Sequence, residues 1–135
     1  MASRRILRDT VVLANYIGEV NDVATFQYTT LKNVYCYSDD GVAVDNNGRR
    51  GNDSAHLYIF DTVSTGLDND GNDRKYLPYE LWRALQDKSG FWTLYDGGKD
   101  TFYKVGNPEK SYRVTSFSKL KNGSPRMWHF EVNGR

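Results

Sequence analysis

Apolar and polar residues alternate with a period of two along most of this chain, in short runs cut by clusters of Gly, Asn, Asp and Ser. Successive side chains leave a strand on opposite sides, so period two marks strands with one covered face. The runs are DTVVLANY (9–16), ATFQYTTLKNVYCY (24–37) and SAHLYIFD (54–61), then two strands around the DGGKD turn within 91–106. SYRVTSFSKL (111–120) and PRMWHFEVNG (125–134) close the chain as a hairpin across Asn122-Gly123. In 24–37, Phe26 and Tyr28 share one face while Leu31, Asn33, Tyr35 and Tyr37 fall in another phase. A bulge or bend near Thr29–Thr30 is therefore expected, as closure of a small barrel requires. One stretch carries helical spacing: Pro78 in a first turn, then Leu81, Trp82 and Leu85, with Gly90 as a stop. The expected class is all-β: a small β-barrel or sandwich of six to seven strands with long loops and one short helix.

A chain of 135 residues suits one domain, 1–135, with a basic arm at 1–8 and long loops at 38–53 and 62–75. Val42 and Val44 offer a short strand inside the first loop. The 18 Lys and Arg balance 17 Asp and Glu, so no global basic field draws nucleic acid or an anionic membrane. Cys36 is the single cysteine, which rules out an intramolecular disulfide and a cysteine-rich metal site. The N-terminal residues lack an apolar signal region and no spanning segment is read, so the expectation is a soluble protein made and kept in a cytoplasm.

TGLDNDGNDRKYLPYELW (65–82) begins like a calcium loop, with Asp68, Asp70 and Asn72 alternating. The match fails at the sixth position, where Asp73 replaces glycine, and at the twelfth, where Tyr79 replaces a bidentate Glu. Asp68, Asp70 and Asp73 are read instead as an exposed acidic loop on a flexible insertion. Cys36, His56 and His129 lack any local spacing for zinc or for a Cys–His nucleophile. No carboxylate pair stands out for glycoside hydrolysis, and GGKD is not a phosphate-binding loop. No catalytic residue, metal ligand or cofactor is assigned. Leu57, Ile59, Trp82, Trp92, Trp128 and Phe130 are assigned to the core. Tyr76, Tyr79, Tyr95 and Tyr103 are suited to stacking on sugars or on another chain.

DTVVLANY, ATFQYTTLKNVYCY, SAHLYIFD and YLPYELWRALQDKSGFWTLYDG, followed by YKVG, YRVTSFSKL and GSPRMWHFEVNGR, together resemble the head–tail connector proteins of tailed phages that infect Firmicutes. These are also called head-closure, stopper or minor capsid proteins. Pro78, Trp82, Gly90, Trp92, Thr93 and Leu94 stand where the family has its Pro, Trp and Gly-Trp-Thr-Leu strand. FYKVG departs from the family's Val-Lys-Gly ending, and 66–75 looks like an insertion. The resemblance implies a non-enzymatic virion protein of the neck, a small β-barrel that assembles in the host cytoplasm. It would form a homo-oligomeric ring below the portal or adaptor, close the DNA channel after packaging and join head to tail. The implied partners are further copies of itself, the portal or adaptor, a tail-terminator or tail-completion protein, and packaged DNA in transient contact, with no membrane. Loop 38–53 is the first candidate for the lumen or for contacts between subunits, through Asp39, Asp40, Asp45, Arg49, Arg50 and Asp53. The alternatives left open are a tail-completion or adaptor subunit, a carbohydrate-binding β-sandwich module, and a small β-barrel hydrolase.

Overall fold

A computed structural model describes residues 8–39, 54–107, 109–121 and 123–135. Nine strands are formed among them: β1 (Asp9–Val20), β2 (Val23–Asp39), β3 (Ser54–Phe60), β4 (Thr65–Leu67), β5 (Asp73–Tyr76), β6 (Phe91–Trp92), β7 (Thr101–Lys104), β8 (Tyr112–Leu120) and β9 (His129–Gly134). The protein is all-β, as its alternation predicts. Among the described residues, helical geometry is confined to α1 (Tyr79–Trp82) and a 3-10 turn at Pro125–Met127.

Strands β1, β7, β8, β9, β3 and β2 are hydrogen-bonded in that order, and β2 pairs back onto β1, so the six close on themselves. All of these pairings are antiparallel. β1 and β2 form a long hairpin around Asn21 and Asp22, whose φ values of 52° and 65° supply the two positive angles of a type I′ turn. β4, β5 and β6 form an annex on the outer edge of β2, with β5 and β6 parallel.

The length of β2 lets it serve both parts. Asp9 pairs with Val34 but Thr10 pairs with Lys32, which leaves Asn33 bulged at φ 58°. Inward side chains are odd-numbered before the bulge, at Thr29 and Leu31, and even-numbered after it, at Val34 and Cys36. Leu31 therefore faces opposite to Tyr35 and Tyr37, and the bend lies three residues beyond Thr30. Ser64 fastens this point: its Oγ donates to Asn33 O at 2.7 Å and accepts from Phe60 N at 2.9 Å.

Three further expectations are corrected. Residues 62–75 are not one loop, because β4 and β5 form a hairpin within them, and β4 pairs with β2 at Thr30–Lys32. The strands flanking DGGKD do not pair with each other: β6 lies on β5, whereas β7 joins β1 and β8. The helix stops after one turn, leaving Leu81 58% exposed. Loop 38–53 falls outside the described residues from Asp40 onward, with Asp45, Arg49, Arg50, Asp53 and the Val42–Val44 strand. The arm is described only from Arg8. Of Asp39, only the backbone is described, paired with Ser54.

The interior of the ring is aliphatic and aromatic, with Val11, Leu13, Leu57 and Phe102 fully buried. Ile59, Trp92 and Phe130 are almost fully buried beside them, and Trp82 is buried under α1 with Nε1 3.3 Å from Phe91 O. Trp128 is not core. It ends the 3-10 turn half-buried, under Lys121, before the alternation of β9 begins at His129.

A polar latch crosses the interior. Asn15, fully buried, donates through Nδ2 to Thr93 O at 2.7 Å and to Asp100 Oδ2 at 2.9 Å, and accepts from Thr93 N at 3.3 Å. Asp100 Oδ1 accepts from Tyr16 N at 2.8 Å. This latch holds β1 against the segment that leads into β7.

Candidate functional site

Each strand of the β2–β3–β9 face buries one side of its alternation and presents the other. Register places Tyr35 opposite Tyr58, Tyr37 opposite His56, and Phe60 opposite His129. Six of the outward residues are rings, with Glu131 and Asn133 between them on β9. Tyr35 and Tyr58 stack at 5.7 Å and 14°, Tyr37 and His56 at 4.8 Å and 28°, Phe60 and His129 at 4.7 Å and 20°. Tyr37 with Tyr58, and Tyr58 with His129, connect these pairs into one patch. Tyr37 remains 39% exposed, and the other five rings are half-covered by each other.

Polar groups orient the rings. His56 Nδ1 lies 2.8 Å from Asn133 Oδ1, and His129 Nε2 lies 3.2 Å from Glu131 Oε2. Partial burial raises the Tyr58 hydroxyl pKa, helped by its hydrogen bond to Tyr37 and by the charge of Glu131. Cys36 takes the opposite side of β2, where burial pushes its thiol up to about 11. Cys36 points into the ring while His56 points out, so alternation alone keeps them from forming a nucleophile pair or a shared metal site. Among the described residues, no three His, Cys, Asp or Glu are grouped to hold a metal.

A cavity of about 450 Å³ opens where β3 gives way to β4. Leu31, Ile59, Tyr76, Trp92 and Phe130 supply apolar walls, with Tyr76 packed on Phe130 at 4.5 Å and on Trp92 at 5.2 Å. Burial raises the Tyr76 hydroxyl pKa. Gly66 is required here, because a Cβ would stand 2.8 Å from Trp92 Nε1. The mouth is charged. Lys119 pairs with Asp61 and holds its ammonium 4.1 Å from the Phe130 ring centre, and Asp73, Arg74 and Lys75 follow along β5.

The acidic residues singled out in the sequence form a tight turn. Asp68 Oδ1 accepts from Asp70 N and Asn72 N, both at 2.8 Å, and Asp68 N donates to Asn72 O at 2.9 Å. The Asn72 N–H holds the Asp68 carboxyl below its usual range. Asp70 and Asp73 are exposed on either side. One oxygen of the Asp68 carboxylate is thus committed to its own turn. The other flagged tyrosines scatter: Tyr79 stacks on Tyr95 at 3.8 Å, and Tyr103 lies half-buried on β7. The aromatic face, in contrast, unites residues that the sequence separates by up to 94 positions, from Tyr35 to His129.

Among the described residues, no helix is long and apolar enough to cross a membrane. No solved structure shows significant similarity to the chain. A putative BTB/POZ domain-containing protein of Acanthamoeba polyphaga mimivirus is 37% identical over 78 residues, covering 56% of this chain and 14% of that protein. The chain thus spans about a seventh of the length of that curated relative. Residues 6–135 match a family of unknown function, DUF6751, and the chain belongs to that family.

Proposed function

We propose that this chain is a structural subunit of a phage neck. It is a head-closure connector that assembles with its own copies as a ring below the portal or adaptor, closes the DNA channel after packaging and joins head to tail. The observation that carries this reading is the aromatic face of β2, β3 and β9. Six rings on a rigid sheet offer a large contact area at low entropy cost, as protein interfaces favour. Glu131, beside Tyr58 and His129, disfavours phosphates at that surface and favours a protein partner from an adjoining neck layer. The closed strands behind it make a stiff support, and chain balance near neutrality keeps DNA from being trapped.

The test is a Tyr37→Ser/Tyr58→Ser chain supplied to a phage lacking the gene. Expected are folded subunits and heads that package DNA yet fail to hold it or to join tails. Normal joining and normal DNA retention would overturn the reading, as would a gene with no portal, capsid or tail genes beside it. A second reading draws on the exposed Tyr37 ring and the half-open Tyr35 and Tyr58 rings, since sugars stack on tyrosine faces left open to solvent. Glycan binding that the same substitutions abolish would favour a carbohydrate-binding module instead.

A further inference from the structure

We infer that the tip of the β1–β2 hairpin of one copy docks into the Trp92–Phe130 cavity of the next copy. The inference rests on the ring-forming reading above and names the contact that would build the ring. β7 pairs with β1 only over Val11–Ala14, and β4 pairs with β2 only over Thr30–Lys32. Beyond those points the hairpin continues to Val20 and Val23, and among the described residues no further strand pairs with it. A two-stranded ribbon is marginal by itself in water. This one carries apolar residues at its end: Val20 and Val23 are register partners, 61% and 65% exposed, and Ile17 is 48% exposed.

The cavity is the complementary feature. Its walls are aliphatic and aromatic, and its mouth is mostly basic, with Arg74, Lys75 and Lys119 against Asp61 and Asp73. The hairpin tip is acidic, with Glu19 and Asp22 flanking the valines. Among the described residues, no ion pair engages Lys75 or Asp22, whereas Glu19 is held by Lys99 at 3.4 Å. Asp22 and Lys75 are therefore the pair offered across the contact.

The occupant cannot be the chain's own tip. Leu31 in the cavity wall and Val23 at the tip lie on the same extended strand, eight residues and so about 26 Å apart. Tip and cavity are different surfaces, which makes the contact head-to-tail, and head-to-tail contacts close into rings when the rotation per copy closes.

The test uses the full chain with Val20→Cys and Thr65→Cys, the latter at the cavity mouth, oxidised with copper-phenanthroline. Cys36 is buried and its thiol is held protonated, so it stays out of the reaction. A chain carrying both substitutions is expected to give a ladder extending past the dimer on a non-reducing gel, whereas a mixture of the two single variants stops at the dimer. Val20→Asp/Val23→Asp should leave the thermal transition in place and weaken self-association at least tenfold. Asp22→Lys and Lys75→Glu should each weaken it, and the double exchange should restore it. Oligomers by sedimentation with no cross-link, and unchanged in the Val20→Asp/Val23→Asp variant, would overturn the docking contact while leaving the ring reading intact. A monomer up to the solubility limit with no ladder would overturn both. A ladder from a chain that never joins a portal complex would keep the contact and overturn the neck.

Discussion

Strands β2 and β3 have two sides with different chemistry. Inward they carry Val34, Cys36, Ala55, Leu57 and Ile59, all buried. Outward they carry Tyr35, Tyr37, His56, Tyr58 and Phe60, all at least partly open to solvent. The inner side is aliphatic because a closed ring of strands leaves a narrow interior that branched side chains fill in few rotamers. The outer side gains little from folding, since its rings remain half wet in the isolated chain. Its apolar area stays partly in contact with water. The same two strands thus separate the residues that fold the chain from those the proposed function assigns to a partner.

The largest test of this separation is Leu57→Ala. Leu57 is fully buried opposite Cys36 and Val132, where the surrounding strands cannot collapse into the space left behind. A loss of about 2–5 kcal/mol is expected in denaturant unfolding. A loss below about 1 kcal/mol would mean that the interior is not the load the fold depends on.

Asn15→Leu comes next. It strips one partner from Asp100 and leaves Thr93 N and O unmatched in the interior, for a loss of about 1–3 kcal/mol. The same latch gives a pH signature. Burial raises the Asp100 pKa above 3.8, against the opposing pull of the Tyr16, Asn15 and Tyr95 groups that bond it. The folded chain therefore takes up this proton before the unfolded chain does as pH falls. Asp100 favours folding below pH 3.8, and that contribution is lost as pH rises through the raised folded value. An Asp100→Asn chain should lack this slope in thermal melts across that window, and an unchanged slope would assign it to another carboxyl.

On the outer side, Tyr37→Ser/Tyr58→Ser should change stability by about 1 kcal/mol or less, while abolishing the joining that the proposed neck function requires. A large stability loss would erase the division between the two sides.

That division was partly legible in the sequence. In SAHLYIF the alternation is unbroken, so Leu57 and Ile59 inward and Tyr58 and Phe60 outward could be read directly. In β2 the phase slips at Asn33, a single left-handed residue, so a period-two reading carried through it sets Leu31 on the wrong face, with Tyr35 and Tyr37. TGL and DRKY are too short and polar to signal strands; they exist because the outer edge of β2 at Thr30–Lys32 gives them a ladder. Leu81, Trp82 and Leu85 have helical spacing, yet after one turn the chain leaves α1 and returns to lay β6 beside β5. The face itself needed the β3–β9 register, since nothing local says that His129 will stand beside Phe60. Extended one step back from His129, the alternation of β9 puts Trp128 inward, but Trp128 ends the 3-10 turn and stays half-buried.

The smallest effect belongs to the acidic turn, which lies apart from both sides of the sheet. Asp68 accepts two backbone N–H groups and orders the β4–β5 connection, but it does so in solvent. Asp68→Ala should therefore lower the melting temperature only slightly at neutral pH. The sign with pH is set by its depressed pKa: the folded chain holds the carboxylate to lower pH than the unfolded chain does. Its contribution is present above the ordinary carboxylate value of 3.8 and lost as pH falls through the lower folded value, so wild type and variant should converge in acid. Calcium should raise the melting temperature of neither, because Asp68 Oδ1 is already shared between Asp70 N and Asn72 N and, among the described residues, no three His, Cys, Asp or Glu gather to supply the further ligands. A calcium-dependent rise seen in wild type and absent in the Asp68→Ala chain would return this turn to the list of binding sites and weaken the claim that the aromatic face is where the subunit meets its partner.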